Sequence, residues 1–83
     1  MPRLLIHTPR GPRSAMLVSA GEQQEQRWFQ NYINELDPLL TDNIKNDLAR
    51  RGLVVAHRDV GLLLARLRSA HANREHLPLD IED

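Results

Sequence analysis

The sequence predicts a small α+β domain, mostly helical, in which a short N-terminal β-hairpin is followed by three helices. The chain has 83 residues, which is the size of a single domain. Apolar side chains recur at helical spacing within residues 19–74, the predicted helical body. Two short apolar runs flank a turn-rich segment within residues 1–18, and residues 75–83 form an acidic tail. An all-α domain of three helices is the alternative fold.

The hairpin is predicted from residues 4–6 and 15–18, which are apolar and enclose a segment rich in proline and glycine. Proline cannot donate a hydrogen bond to a β-ladder, so this segment is expected to be a loop that displays Arg10 and Arg13. A two-stranded hairpin alone is only marginally stable in water. It is therefore expected to pack on the helices that follow.

The first helix is predicted over residues 20–36. Ser19 followed by Glu22 fits a capping box, in which each side chain satisfies a free amide at the helix start. All three aromatic residues of the chain lie in this segment, and helical spacing places them on one face with two aliphatic residues. The face consists of Trp28, Phe29, Tyr32, Ile33 and Leu36. Such a stripe indicates core packing rather than a ligand cage.

The second helix is expected to begin after Asp37-Pro38, with Asp37 or Thr41 as its N-cap. Its apolar positions follow a strict four-residue spacing: Leu40, Ile44 and Leu48. Gly52 is placed to adopt the left-handed conformation that commonly ends a helix. Residues 53–55 are expected to form a short connector.

The third helix is predicted to begin near His57 or Arg58, with Asp59 in its first turn, and to reach about Ala72; it has the most regular apolar pattern of the chain. The tail, residues 75–83, is expected to be extended and frayed unless Leu77 and Leu79 are held by the body of the protein or by a partner. The helical stripes together predict the core. It comprises Trp28, Phe29, Tyr32, Leu36, Ile44, Leu48, Leu63 and Leu67.

The composition opposes most kinds of catalysis. The chain has no cysteine, which excludes disulfides, thiolate metal sites and cysteine nucleophiles. Its four glycines are isolated, and no two of its four histidines have the four-residue spacing of a helical zinc site. We therefore predict no catalytic residues, no metal and no cofactor, and hence a protein that is not an enzyme. No apolar run approaches the roughly 18 residues that cross a bilayer, so we expect no membrane partner and a cytoplasmic location.

Acidic and basic residues are equal in number but occupy separate blocks. Residues 1–13 carry three arginines and no acid, whereas residues 14–42 carry five acids and one arginine. Residues 43–74 are basic, and residues 75–83 are acidic. Ten of the eleven basic residues are arginine, whose planar guanidinium suits two-point binding of carboxylates and phosphates. The blocks either neutralise one another within the fold or support pairing with another chain.

The predicted function is that of a non-enzymatic protein-interaction module, which self-associates and binds a larger protein to regulate or inhibit it. A binder of the antitoxin or secretion-chaperone type is a variant of this hypothesis. Leu62 lies opposite the apolar stripe of the third helix, so a second face of that helix is expected to be buried against another chain. The predicted partner-binding residues are this leucine, two arginines of the N-terminal loop and three arginines of the third helix. They are Arg10, Arg13, Arg58, Leu62, Arg66 and Arg68.

The alternative function is a helix-turn-helix regulator that binds DNA. The stretch from Ile44 to Arg68, with its glycine-ended turn and basic surplus, resembles the turn and second helix of winged DNA-binding domains. The resemblance implies that the third helix enters the major groove. Leu62, Ala65 and Ser69 on its outer face are poorly suited to reading base edges, which favours the protein partner.

Overall fold

The predicted hairpin is confirmed in the computed structural model, which describes residues 1–83. Strand β1 (Arg3–Thr8) pairs antiparallel with β2 (Gly11–Ser19), from Arg3 opposite Met16 to Thr8 opposite Gly11. The connecting turn uses the positive φ of Gly11, 107°, which side chains rarely tolerate. The Thr8 hydroxyl donates a hydrogen bond of 2.6 Å to the Gly11 carbonyl and holds the turn closed.

The hairpin is the centre of a four-stranded antiparallel sheet in the order β3, β2, β1, β4. Strand β3 (Leu53–Val55) pairs with β2, and β4 (Leu79–Glu82) pairs with β1. The expectation that residues 53–55 form only a connector was therefore wrong. The tail is extended as expected and is not frayed, because Leu77 and Leu79 pack against the core of the protein. Both segments are strands because each pairs with a strand distant in sequence. A run of three or four residues carries little sequence signal of such pairing.

The predicted first helix is interrupted. It consists of α1 (Ala20–Gln23), α2 (Arg27–Asn31) and a π-helical turn (Tyr32–Leu36). The break falls in a segment without any apolar side chain, and helices in proteins depend chiefly on packing an apolar face. The capping box was also wrong, since the Ser19 side chain makes no capping hydrogen bond. The π-helical turn changes the angular spacing of the side chains, and Ile33, predicted on the buried face, is 42% exposed.

The second and third predicted helices are α3 (Asp42–Arg51) and α4 (His57–Ala72). Thr41 occupies the N-cap position of α3, whereas Asp37 begins a separate 3-10 turn (Asp37–Leu39). Gly52 follows α3 with a φ of 67°, as predicted. In total 52% of the residues are helical and 27% lie in strands, so the α+β class is confirmed while "three helices, mostly helical" matches only roughly. None of the helices combines the length and apolar content that crossing a membrane requires.

The core lies between one face of the sheet and the helices. Six of the eight predicted core residues are buried, while Trp28 and Phe29 are half-buried and pack against the others. The sheet contributes six of the sixteen buried residues. Its buried residues are Leu4, Ile6, Ala15, Leu17, Val54 and Val55.

Candidate functional site

A shallow depression lies between the β1–β2 turn and the outer face of α4. Four of the six predicted partner-binding residues line it: Arg10, Arg13, Leu62 and Arg66. Residues from the two sides of the depression are about fifty positions apart in sequence, so the fold brings together two clusters that the sequence shows separately.

The turn supplies two arginines to the depression. Arg10 is in the turn itself, and Arg13 lies in β2 directly opposite Ile6. Residues opposite each other in an antiparallel pair point to the same face of the sheet, and Ile6 is only 2% exposed. Arg13 therefore projects from the face that carries α4, where it can reach the same ligand as the helix.

Helix α4 supplies an apolar side chain and a third arginine. Leu63 and Leu67 are buried beneath the helix, whereas Leu62 is 67% exposed. Arg66 lies one turn after Leu62, because residues four apart stack on the same face of a helix. Ala65 and Ser69 line the depression together with Leu62 and Arg66, and their small side chains do not fill it.

The three arginines of the depression are not neutralised within the chain. No carboxylate lies within 4.0 Å of Arg10, Arg13 or Arg66 in any ion pair of the protein. Glu75 also lines the depression, but it is not paired with any of them. The depression thus combines an exposed leucine with three guanidinium groups that have no carboxylate partner, an arrangement suited to an apolar side chain flanked by anions.

The remaining two predicted residues lie outside the depression. Arg58 is at the start of α4, where its guanidinium is 3.8 Å from the sulfur of Met16. Arg68 projects from another side of the helix, 4.0 Å from the Glu35 carboxylate. The fold therefore separates Arg68 from the cluster, and it leaves Arg58 one turn before Leu62 at the edge of the same helix face.

The sequence did not single out Asp59 as a positioning residue. Its carboxylate accepts a hydrogen bond of 2.8 Å from the backbone N–H of Met16 in β2. The Ala56 N–H in turn donates to the Met16 carbonyl, also at 2.8 Å. These contacts fix the start of α4 against the strand that carries Arg13. An aspartate in the first turn of a helix was the available signal, but it indicates only a favourable helix dipole.

The histidines and aromatic residues form structural contacts elsewhere. His7 lies 2.8 Å from the Asp80 carboxylate on the outer face of the sheet, and the His57 ring stacks on Trp28 with a centroid distance of 5.1 Å. Burial, reinforced by the nearby charge of Asp37, raises the pKa of Tyr32 to about 12. No group of three or more histidine, aspartate or glutamate side chains is arranged to hold a metal ion.

No protein-family model matches the chain, and no curated protein or solved structure was found to match it.

Proposed function

We propose that the chain is a non-enzymatic protein-interaction module that uses the depression between the β1–β2 turn and α4 to bind an acidic surface of a larger protein. The observation that carries the proposal is that the exposed Leu62 shares one depression with Arg10, Arg13 and Arg66, none of which has an acidic partner within the chain. Covering a functional surface of the partner would regulate or inhibit it.

Charge and apolar area together support a protein rather than a small anion as the ligand. Arginine beside an apolar side chain is typical of the residues that contribute most to protein interfaces. An acidic segment with one apolar anchor could cover Leu62 while its carboxylates pair with the guanidinium groups in two-point fashion. Inorganic phosphate would satisfy the arginines but leave Leu62 exposed.

Self-association is assigned to a different surface. A two-fold contact through Leu62 would bring Arg66 close to Arg66 of the partner subunit, and like charges oppose such pairing. A second cleft, lined mostly by apolar residues including the exposed Ile33, also contains Asp37 and Lys45. Two-fold pairing there allows Asp37 to meet Lys45 of the partner subunit. Sedimentation should therefore show a dimer that Ile33→Glu dissociates and Leu62→Glu does not.

The test of partner binding uses a helical peptide of sixteen residues, rich in glutamate and carrying leucine at one-turn spacing, as a defined acidic probe. Binding measured by fluorescence anisotropy should weaken at least tenfold in Arg66→Glu. It should weaken several-fold in Arg66→Lys, because lysine keeps the charge but loses the two-point geometry. Leu62→Ser should also weaken binding. Arg27→Glu is the matched control, since Arg27 is an exposed arginine of α2 outside the depression.

Binding of the peptide that is equally strong in wild type and Arg66→Glu would contradict the proposal. The second candidate function, a DNA-binding regulator, is favoured by the same free arginines together with Arg58 on α4. It predicts instead that duplex DNA binds more tightly than the peptide. It also predicts that this binding falls steeply with salt and that Arg66→Lys retains most of it.

A further inference from the structure

Strand β4 leaves one side of its backbone without a partner. It is the last strand of the sheet and pairs only with β1. The backbone N–H of His7 donates to the Pro78 carbonyl at 2.9 Å. This bond fixes which residues of β4 direct their backbone groups towards β1 and which direct them away from it. The backbone groups of Asp80 and Glu82 therefore face β1, while the N–H and C=O groups of Leu79 and Ile81 face outward.

The side chains of β4 alternate in character as well as in direction. Leu79 and Ile81 are half-buried against the core, whereas Asp80 and Glu82 are exposed on the opposite face of the sheet. His7 is paired with Asp80, but no basic group lies within ion-pair distance of Glu82. The outer edge thus combines free hydrogen-bonding groups with negative charge on one face.

A groove beside the edge provides room for the side chains of an added strand. It is bounded by β4 and by the first turns of α3, with Ile44, Leu79 and Ile81 as its apolar part. A strand lying alongside β4 would place every second side chain in this groove. The intervening side chains would lie beside Asp80 and Glu82, because residues opposite each other in a ladder share a face.

Charge determines which occupant fits. A second copy of the chain pairing through β4 would set Asp80 and Glu82 against the same carboxylates of its partner, and like charges in cross-strand contact are destabilising. Acidic side chains on an edge strand oppose self-pairing in this way. A segment with lysine or arginine at alternate positions would instead place positive charges beside Asp80 and Glu82, where they are attracted.

We infer that β4 accepts an extended basic segment of another protein as a fifth, antiparallel strand, with apolar side chains in the groove and basic side chains beside Asp80 and Glu82. Peptides bind to exposed sheet edges by this kind of strand addition, in which the backbone supplies affinity and alternate side chains supply specificity. The surface is separate from the arginine depression and opposite to it in charge, so the inference does not depend on the proposed function.

The experiment uses the full chain and a capped heptapeptide of alternating lysine and valine, with lysine at both ends. In an amide-exchange experiment followed by NMR, saturating peptide should slow exchange of the Leu79 and Ile81 amides at least tenfold. In an antiparallel pairing the valines lie opposite Leu79 and Ile81 and exchange hydrogen bonds with them. The same peptide N-methylated at its valines should therefore bind at least tenfold more weakly.

Charge reversal tests the specificity. The double variant Asp80→Lys with Glu82→Lys should lose affinity for the lysine–valine peptide at least tenfold and gain affinity for a glutamate–valine peptide. Glu22→Lys with Glu25→Lys is the matched control, since both residues are exposed acids outside the sheet. Arg66→Glu, which tests the depression, should leave binding of the lysine–valine peptide unchanged.

Two results would overturn the inference. One is equal binding of the N-methylated and unmodified peptides to the wild-type protein, which tests strand addition without any variant and so does not depend on how the double variant folds. The other is protection by the peptide of amides away from β4, with Leu79 and Ile81 unaffected.

Discussion

The Asp59 carboxylate, in the first turn of α4, accepts a hydrogen bond from the backbone N–H of Met16 at 2.8 Å. Met16 is the last residue of β2 that pairs with β1, and it directly precedes the residues that pair with β3. The Met16 N–H that points away from β1 has no strand opposite it. The Asp59 carboxylate therefore accepts the hydrogen bond that a neighbouring strand would otherwise accept. The contact joins β2 and α4, which carry Arg13 and Arg66 of the depression.

Replacing this carboxylate should destabilise the protein. We expect Asp59→Ala to lower the free energy of unfolding by about 1–3 kcal/mol, because the Met16 N–H loses its acceptor in a partly buried position. Urea denaturation measures the change. Asp42→Ala is the control, because Asp42 is also in the first turn of a helix but has no bond to the sheet, and it should cost less than about 1 kcal/mol. Equal losses in the two variants would show that the contact adds nothing beyond the helix dipole.

Truncation of two adjacent leucines of α4 should cost very different amounts of stability. Leu63 is 2% exposed and Leu62 is 67% exposed. Leu63→Ala should therefore cost about 2–5 kcal/mol of unfolding free energy through lost burial and a cavity. Leu62→Ala should change it by less than about 0.5 kcal/mol. Thermal or urea unfolding of both variants measures this. A large loss in Leu62→Ala would mean that this leucine is covered by a second copy in solution.

The helices and the hairpin could be predicted because their signals are local. Periodic leucines, a left-handed glycine and a proline-rich turn are each visible within about ten residues of sequence. Strand β4 could not be predicted as readily, because Leu79 and Ile81 can be recognised as strand residues only when β1 is known to pair with them. The break near Gln26 was missed for a related reason, because spacing alone does not show where a polar segment has no surface to pack on.

The candidate site was predictable in its residue types but not in its grouping. The surplus of arginine and the outward Leu62 indicated an interaction surface. The sequence could not show that Arg13 lies on the helix-bearing face of the sheet, which depends on the register that places it opposite Ile6. Nor could it show that Arg68 projects towards Glu35 and away from the other arginines.

Two glycines give a matched test of backbone conformation. Gly52 has a φ of 67°, whereas Gly61 lies within α4 and an added Cβ there would meet no atom within 4 Å. Gly52→Ala should lower the free energy of unfolding by about 1–2 kcal/mol because alanine resists the left-handed conformation. Gly61→Ala should raise it by about 0.5–1 kcal/mol because alanine favours the helix. Denaturant titration of both variants measures the changes, and stabilisation by Gly52→Ala would contradict the assigned conformation.

Burial of Tyr32 should make the protein less stable at alkaline pH. The phenol is only 4% exposed, and its pKa is raised from 10.0 to about 12, chiefly by burial and secondly by the charge of Asp37. The unfolded chain therefore releases this proton at lower pH than the folded chain does. The contribution of the protonated Tyr32 hydroxyl to the free energy of unfolding is fully present below pH 10, and it is lost as the pH rises from about 10 to about 12.

The loss attributable to Tyr32 should amount to roughly 2–3 kcal/mol of unfolding free energy across that interval. Other groups also titrate there, so the measurement compares urea denaturation of wild type and Tyr32→Phe at pH 9 and at pH 12. The phenylalanine variant keeps the ring packing of Tyr32 but has no proton to release, and its stability should fall less over the same interval. Parallel losses in the two proteins would mean that the hydroxyl ionises as easily in the folded state as in the unfolded one, which is inconsistent with its burial between the π-helical turn and the sheet.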